Sequence, residues 1–448
     1  MGSFPEELRR IAARADDIGG PHADQLWVRG VRRRRVQLIG YAGAVLLVIS
    51  GSIAGFQTLR AAHSRVDVAT PAGAETHLPK RINDRLGAID SLRDRAPGPI
   101  SLAFWAIAQH WIGESNILVG VSGLDGRYVE LATDADTIEG DLPAVSASGE
   151  WVAYWTKRAV PQPPKDDSRP VDGVTMVNLV TGKTQRWWAD SPHGIQPETM
   201  MWAETSAAPI LVMPYGVRDS FGSHDTAYSS SHAVNMRTWV AGSAGPTTIA
   251  MTSFNTLIPA GKDQVIRLLD RGYERLRVSD WRPIERVNGV PPLGGSGTGG
   301  TDIIAGSSEE IILLAGNSVP TQPWIGRSDE GGHFVGSAVK KSPRVYGLFG
   351  RSGPTSFVAA CMPQKSVEVS DASLCSIDAH TGVTTVLWSK WSGAPVTIAA
   401  DSLLRPTRPF PVPGPGITAD TRDTVVGGSV IGVLAIGFML WLRRKHAR

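Results

Sequence analysis

Across the middle of the chain the apolar residues fall in short runs: NILVGVS, WVAYW, TMVNLV, ILVMPY, VIRLL, IILLAG, SFVAAC and VTTVLW. Each run is of strand length, and Gly, Pro, Ser and Asp break the chain between them. No sustained helical period interrupts them, so residues 99–404 read as all-β, and evenly spaced short strands suit a barrel, a sandwich or a propeller. Two other stretches follow a different pattern. Residues 36–59 and 424–442 carry no charge and are each long enough, at 1.5 Å per helical residue, to cross a bilayer. A third pattern sits before the first of these. Leu8, Ile11, Ala15 and Ile18 recur along one helical face behind a Ser3/Glu6 capping box, and Gly19-Gly20-Pro21 ends the helix.

Repeats narrow the all-β choice. A turn followed by an apolar run recurs at Ser148-Gly149, Ser206-Ala207, Gly261-Lys262, Ser307-Ser308 and Ser352-Gly353, at intervals of about 45–57 residues. The hairpins at 174–188 and 374–388 share a strand, D/N-x-x-T-G turn, strand pattern. With a further unit near 100–140, the expectation is a β-propeller of about six four-stranded blades, flanked by two transmembrane α-helices. Residues 60–98 read as a polar linker and 405–423, which begins RPTRPFPVPGPG, as a proline-rich stalk.

Charge sets the topology. The chain of 448 residues has a formal net charge of +3. The tails 1–35 and 443–448 together hold +7, which leaves −4 for everything between them. Arg32, Arg33, Arg34 and Arg35 abut the first span; Arg443, Arg444 and Lys445 abut the second. A Lys/Arg excess marks cytoplasmic flanks, so both termini are expected inside and residues 60–423 outside a plasma membrane, with the basic tails against anionic lipid. Thirty-five residues before the first span, and no small-x-small site at Leu59-Arg60-Ala61, argue against a cleaved signal peptide. Gly51 with Gly55 and Gly428 with Gly432 form two GxxxG pairs at matching depth, where the helices can pack together. Gly is also simply common in membrane helices.

PAVSASGEWVAYW (143–155) resembles the repeat of WD40-like, TolB-type propellers, whose motif runs Trp-Ser-Pro-Asp-Gly into an apolar strand. Ser146, Gly149, Ala153 and Tyr154 match; Val145, Ala147 and Ser148 depart from it. RSDEGGHF (327–334) is similar to the Asp-box turn of sialidase-like propellers through Asp329, Gly331 and Phe334, with Arg327 in place of the usual Ser. The layout as a whole is similar to uncharacterised actinobacterial membrane-anchored propeller proteins. That resemblance implies a fold and no activity.

Candidate chemistry is sparse. Two cysteines cannot build a four-Cys zinc site; Cys361 and Cys375, in neighbouring strands outside the cytoplasm, are expected to form a disulfide. Gly295-x-Gly297-x-x-Gly300 lacks the flanking strand and helix of a dinucleotide site and reads as a loop. Ser231-His232 and Asp378-Ala-His380 each bring a His near a polar partner. Trp151, Trp155, Trp187 and Trp188 fit packing between blades or platforms for a sugar. No catalytic residue, cofactor or metal site is expected, and the near-neutral charge excludes wholesale nucleic-acid binding. The expected function is a non-enzymatic extracellular binding or sensing module with an unknown ligand. The alternative is an anti-sigma-like regulator whose residues 1–31 hold a cytoplasmic protein partner, and a third reading is an exported hydrolase.

Overall fold

The computed structural model describes residues 75–413 apart from 88, 93–95, 111–112, 134–135, 138–141, 158–170, 192, 218–233, 250–256, 270, 292–302, 306–309, 315–320, 363–371 and 389–395. Among these residues there are 27 strands in six sheets and one short helix. In chain order, β1 (Arg85–Leu86), β2 (Asp90–Ser91), β3 (Ile100–His110), β4 (Gly113–Ser122) and β5 (Tyr128–Thr133) belong to the first sheet. The second holds β6 (Ala144–Val145), β7 (Trp151–Lys157), β8 (Val171–Asn178) and β9 (Thr184–Trp188). The third holds β10 (Ile195–Pro197), β11 (Met201–Ala203), β12 (Ile210–Val217), β13 (Val234–Val240) and β14 (Thr247–Ile249). The fourth holds β15 (Leu257–Pro259), β16 (Gln264–Leu269), β17 (Gly272–Arg277) and β18 (Pro283–Asn288). The fifth holds β19 (Ile303–Ala305), β20 (Glu310–Leu314), β21 (Pro323–Ser328) and β22 (Phe334–Ala338). The sixth holds β23 (Val345–Arg351), β24 (Ser356–Cys361), β25 (Ser373–Asp378) and β26 (Thr384–Trp388). Finally β27 (Val396–Ile398) returns to pair with β3, and α1 (Ala400–Leu403) follows it.

The short apolar runs are explained by burial on both faces. β7 and β8 are buried along almost their whole length, whereas the last strands β9, β22 and β26 are mostly half-buried or exposed. A sheet sandwiched between two neighbours needs continuous apolar strands inside and admits polar ones at its outer edge. Six clusters of buried residues fill the seams. Ile100 and Leu118 meet Val152 and Val177 between sheets one and two, and Trp155 and Met176 meet Trp202 and Leu211 between two and three. Val212 and Met236 meet Val265 and Leu276, Tyr273 and Val287 meet Ile311 and Leu313, and Ile312 and Leu314 meet Phe357 and Ile377. The last cluster joins Val358, Ala360 and Leu374 of the sixth sheet to Leu102, Phe104 and Val119 of the first. The result is an all-β, propeller-like ring.

Closure is antiparallel: Val396, Thr397 and Ile398 pair with Phe104, Ala103 and Leu102. The stretch expected as a linker takes part in it. β1 lies parallel to β3, β2 lies parallel to β5, and Leu78 and Leu86 are buried in the seam between sheets six and one. Residues 405–413, expected as a free stalk, are docked as well. Arg408 donates its N–H to Leu78 O, Lys80 N–H donates to Arg408 O, and Asn83 Nδ2 donates to Pro413 O at 3.2 Å. Arg405 pairs with Glu75, which it holds below the usual carboxylate range. Polar and proline-rich composition did not preclude docking, because a few apolar anchors and backbone bonds suffice. Both spans, the inner tail helix, Gly51, Gly55, Gly428, Gly432 and the basic clusters lie outside the described residues. Among those described, no helix is long and apolar enough to cross a membrane.

Candidate functional site at the axial turns

The first strands of successive sheets adjoin one another: β27 and β6, β6 and β11, β11 and β15, β15 and β19, β19 and β23. They are therefore the axis-side strands, and the turns that follow them form one rim of the axis. Among the described residues, four carboxyl groups sit in the turns after β27, β6, β11 and β15 on that rim. Asp401 is in α1, Glu150 precedes β7, Glu204 follows β11, and Asp263 precedes β16. Backbone bonds tie the turns together: Asp401 N–H donates to Ala147 O at 2.9 Å and Asp263 N–H to Glu204 O at 2.5 Å. Glu204 Oε1 accepts the Ala147 N–H at 3.0 Å. One side chain thus bridges the second and third sheets.

Local sequence builds these turns. Ser146 Oγ accepts the Trp151 N–H at 3.1 Å, and Gly149 has φ +73°, where a side chain would run into the Ile100 carbonyl. This is the matched part of the repeat motif, and its role is to seat the turn against the first sheet. Burial pushes the Glu204 carboxyl up, the Ala147 N–H partly offsets that, and the charges of Asp401 and Glu150 push it up further. A half-buried carboxyl with a raised pKa beside other acidic side chains is a candidate proton donor. None of the four was singled out by motif, although the recurring turns at Ser148-Gly149, Ser206-Ala207 and Gly261-Lys262 pointed to three of their positions.

The residues singled out from sequence fare differently. Cys361 and Cys375 form a disulfide between β24 and β25, with Cα atoms 6.0 Å apart. Asp378 is a turn residue: its Oδ1 accepts the Thr381 hydroxyl and N–H and the His380 N–H, its Oδ2 accepts the Thr355 hydroxyl, and these bonds hold its carboxyl down at about 2. His380 Nε2 lies 3.9 Å from Glu310 Oε2. Asp329 builds its turn through the Gly331 and His333 N–H groups at 2.9 and 2.8 Å. Trp151, Trp155 and Trp187 pack in the seam between sheets two and three, with Trp155 Nε1 donating to Glu198 O at 2.9 Å. Ser231-His232 and Gly295–Gly300 lie outside the described residues, as do residues 1–31. Among the described residues no group of three or more His, Cys, Asp or Glu is arranged to hold a metal.

No family model matches the chain, and no curated protein does. Solved structures that it resembles include dipeptidyl peptidase 4 of Porphyromonas gingivalis, at 9% identity and TM-score 0.35, over 64% of this chain and 44% of that one. Prolyl oligopeptidase B of Galerina marginata is 10% identical with TM-score 0.40, over 65% of this chain and 41% of that one. Hsv2 of Kluyveromyces lactis is 9% identical with TM-score 0.30, over 54% and 60%. The match spans less than half the length of either peptidase. These findings correct one expectation. The expected non-enzymatic binding module stands against structures two of which are peptidases by name, and that reading is withdrawn. The activities named belong to those proteins.

Proposed function

We propose that the chain is an exported hydrolase held by two transmembrane helices, with both termini cytoplasmic and a six-bladed, TolB-like propeller outside. The observation that carries the hydrolytic part is Glu204, a half-buried carboxyl pushed upward in pKa beside Asp401 and Glu150 at the axial rim. In this reading Glu204 donates a proton to the leaving group while a neighbouring carboxylate takes one from the attacking water. Two neighbouring carboxyl groups can divide the acid and base roles in this way. The membrane part rests on the two uncharged runs and their basic flanks.

The test is a hydrolysis screen of the full chain in detergent against peptide, ester and glycoside substrates. Activity should fall at least about a hundredfold in Glu204→Gln, as for loss of a general acid. In the parent it should decline as pH rises through the raised Glu204 value, because the proton is then gone. Activity that Glu204→Gln leaves untouched would place the chemistry elsewhere. Digestion of a C-terminal tag by protease added to intact cells would reject the topology.

A further inference from the structure

Arginine is treated differently in two neighbouring sheets. In the fourth, among the described residues, the buried Arg275, the half-buried Arg267 and the exposed Arg286 all have carboxylate partners. Arg267 and Arg286 both pair with Glu274, and Arg275 pairs with Glu285 at 3.2 Å. In the third, Arg237 on β13 has no carboxylate partner among the described residues. Its Nε donates to Tyr215 Oη at 3.1 Å, and its guanidinium carbon lies 5.0 Å from the centroid of the Trp187 ring. Trp187 and Tyr215 are themselves in contact, with centroids 5.5 Å apart and planes at 54°.

Three strands from two sheets converge to make this arrangement. Trp187 is on β9, the last strand of the second sheet; Tyr215 is on β12 and Arg237 on β13 of the third. The register places Arg237 opposite Met213 and diagonal to Tyr215 on the face that meets the second sheet. The guanidinium is thus fixed at one edge by a hydroxyl and over an aromatic ring. Its two terminal nitrogens accept no proton and make no bond to the described residues. A half-buried guanidinium held in one orientation, with no carboxylate beside it among the described residues, is placed to take up an anion. Its planar fork of N–H donors matches a carboxylate, and the neighbouring rings offer an apolar wall for whatever bears it.

We propose that Arg237, Trp187 and Tyr215 form a binding site for the carboxylate group of a small ligand carrying an apolar or aromatic substituent. The site is separate from the axial rim and does not rest on the hydrolytic reading.

The probe is hippurate, titrated into the full chain in detergent and followed by tryptophan fluorescence, with hippuramide and inorganic phosphate as controls. Hippurate should bind saturably, and replacing its carboxylate by the amide should weaken binding about tenfold or more, as for loss of a charged hydrogen bond. Arg237→Lys keeps the charge but not the fork and should weaken hippurate by a similar factor. Tyr215→Phe leaves the packing intact and should weaken it severalfold by freeing the guanidinium edge, which keeps the test decisive if Arg237 variants fold poorly. Equal binding of hippurate and hippuramide would overturn the proposal, as would affinity unchanged in both Arg237→Lys and Tyr215→Phe. Phosphate binding more tightly than hippurate would overturn the carboxylate assignment.

Discussion

The sixth sheet and the first sheet are built on opposite plans. The sixth is sequence-local: β23 to β26 follow one another through hairpins, and a disulfide ties β24 to β25. The first draws β27 from nearly 300 residues beyond β3 and takes β1 and β2 from a polar stretch ahead of it. Both are filled by the same cluster, which runs from Leu102 and Phe104 through Val358 and Leu374 to Val396 and Leu403. Local hairpins, β3 to β5 among them, lose little chain entropy on pairing, whereas the pairing of β27 with β3 forms only when the ring is complete. Stability should therefore be more sensitive at the closing strand than anywhere in the sixth sheet.

The largest expected effect comes from removing the closure. A chain ending at residue 395 loses Val396, Ile398, Ala399 and Leu403, all buried, and leaves Leu102–Phe104 of β3 without their partner strand. At about 1.5–3 kcal/mol for each large apolar side chain, the loss is comparable to the whole stability of a domain. The truncated chain should aggregate or melt without a cooperative transition, measured by far-UV circular dichroism. Leu403→Ala alone should cost about 2–5 kcal/mol in denaturant unfolding. By contrast Val386→Ala, at a position 58% exposed on β26, should stay within about 0.5 kcal/mol. Equal effects at the two positions would erase the difference between the plans.

A smaller effect is expected within the sixth sheet. Cys361→Ser opens a loop of sequence separation 14 and should cost about 3 kcal/mol under oxidising conditions. The same substitution should change little once the parent is reduced. A loss as large as that of the truncation would mean that the sixth sheet does not hold itself.

The smallest effect sharpens the comparison between two local sheets. The turn after β8 and the turn after β25 have the same geometry. Asn178 Oδ1 accepts the Thr181 N–H at 2.8 Å and hydroxyl at 3.0 Å; Asp378 Oδ1 accepts those of Thr381 at 2.8 and 2.7 Å. The glycines four residues on, Gly182 and Gly382, have φ +73° and +71°. Asp378 titrates at about 2, so the stability that its ionised form contributes is present above the unfolded carboxylate range near 4. That contribution is lost as pH falls toward 2. Asp378→Asn should flatten this part of the pH profile, and Asn178→Asp should add a matching step, read as the urea midpoint between pH 5 and 2. An unchanged profile in both variants would show that the two turns bear no weight in folding.

The two hairpin turns were legible because their chemistry is contained within five residues. The seating of Gly149 was legible too, through the partial repeat motif that it belongs to. The functional readings were less so. Glu204 lies in an ordinary polar turn, and what marks it is burial together with Asp401 and Glu150, which are far from it in sequence. Arg237 carries no motif; that no carboxylate among the described residues pairs with it stands out only against the pairing of Arg267, Arg275 and Arg286 in the next sheet. The expectation of a non-enzymatic module had rested on the absence of linear motifs. A ring can gather its groups from separate turns, so linear motifs are a weak guide here.

The sequence by itself determined the short-range features: strand-length apolar runs, recurrent turns, the cysteine pair on adjacent strands, and a propeller-like order of sheets. Each depends on residues within one hairpin, where alternation, glycine and turn-forming side chains act directly. Only the tertiary structure decided what closes the ring, that residues 75–92 and 405–413 pack onto it, and which charged groups end up buried or without a partner. Those outcomes depend on contacts between segments hundreds of residues apart, whose energies are set by shared burial and leave no periodic trace in the chain.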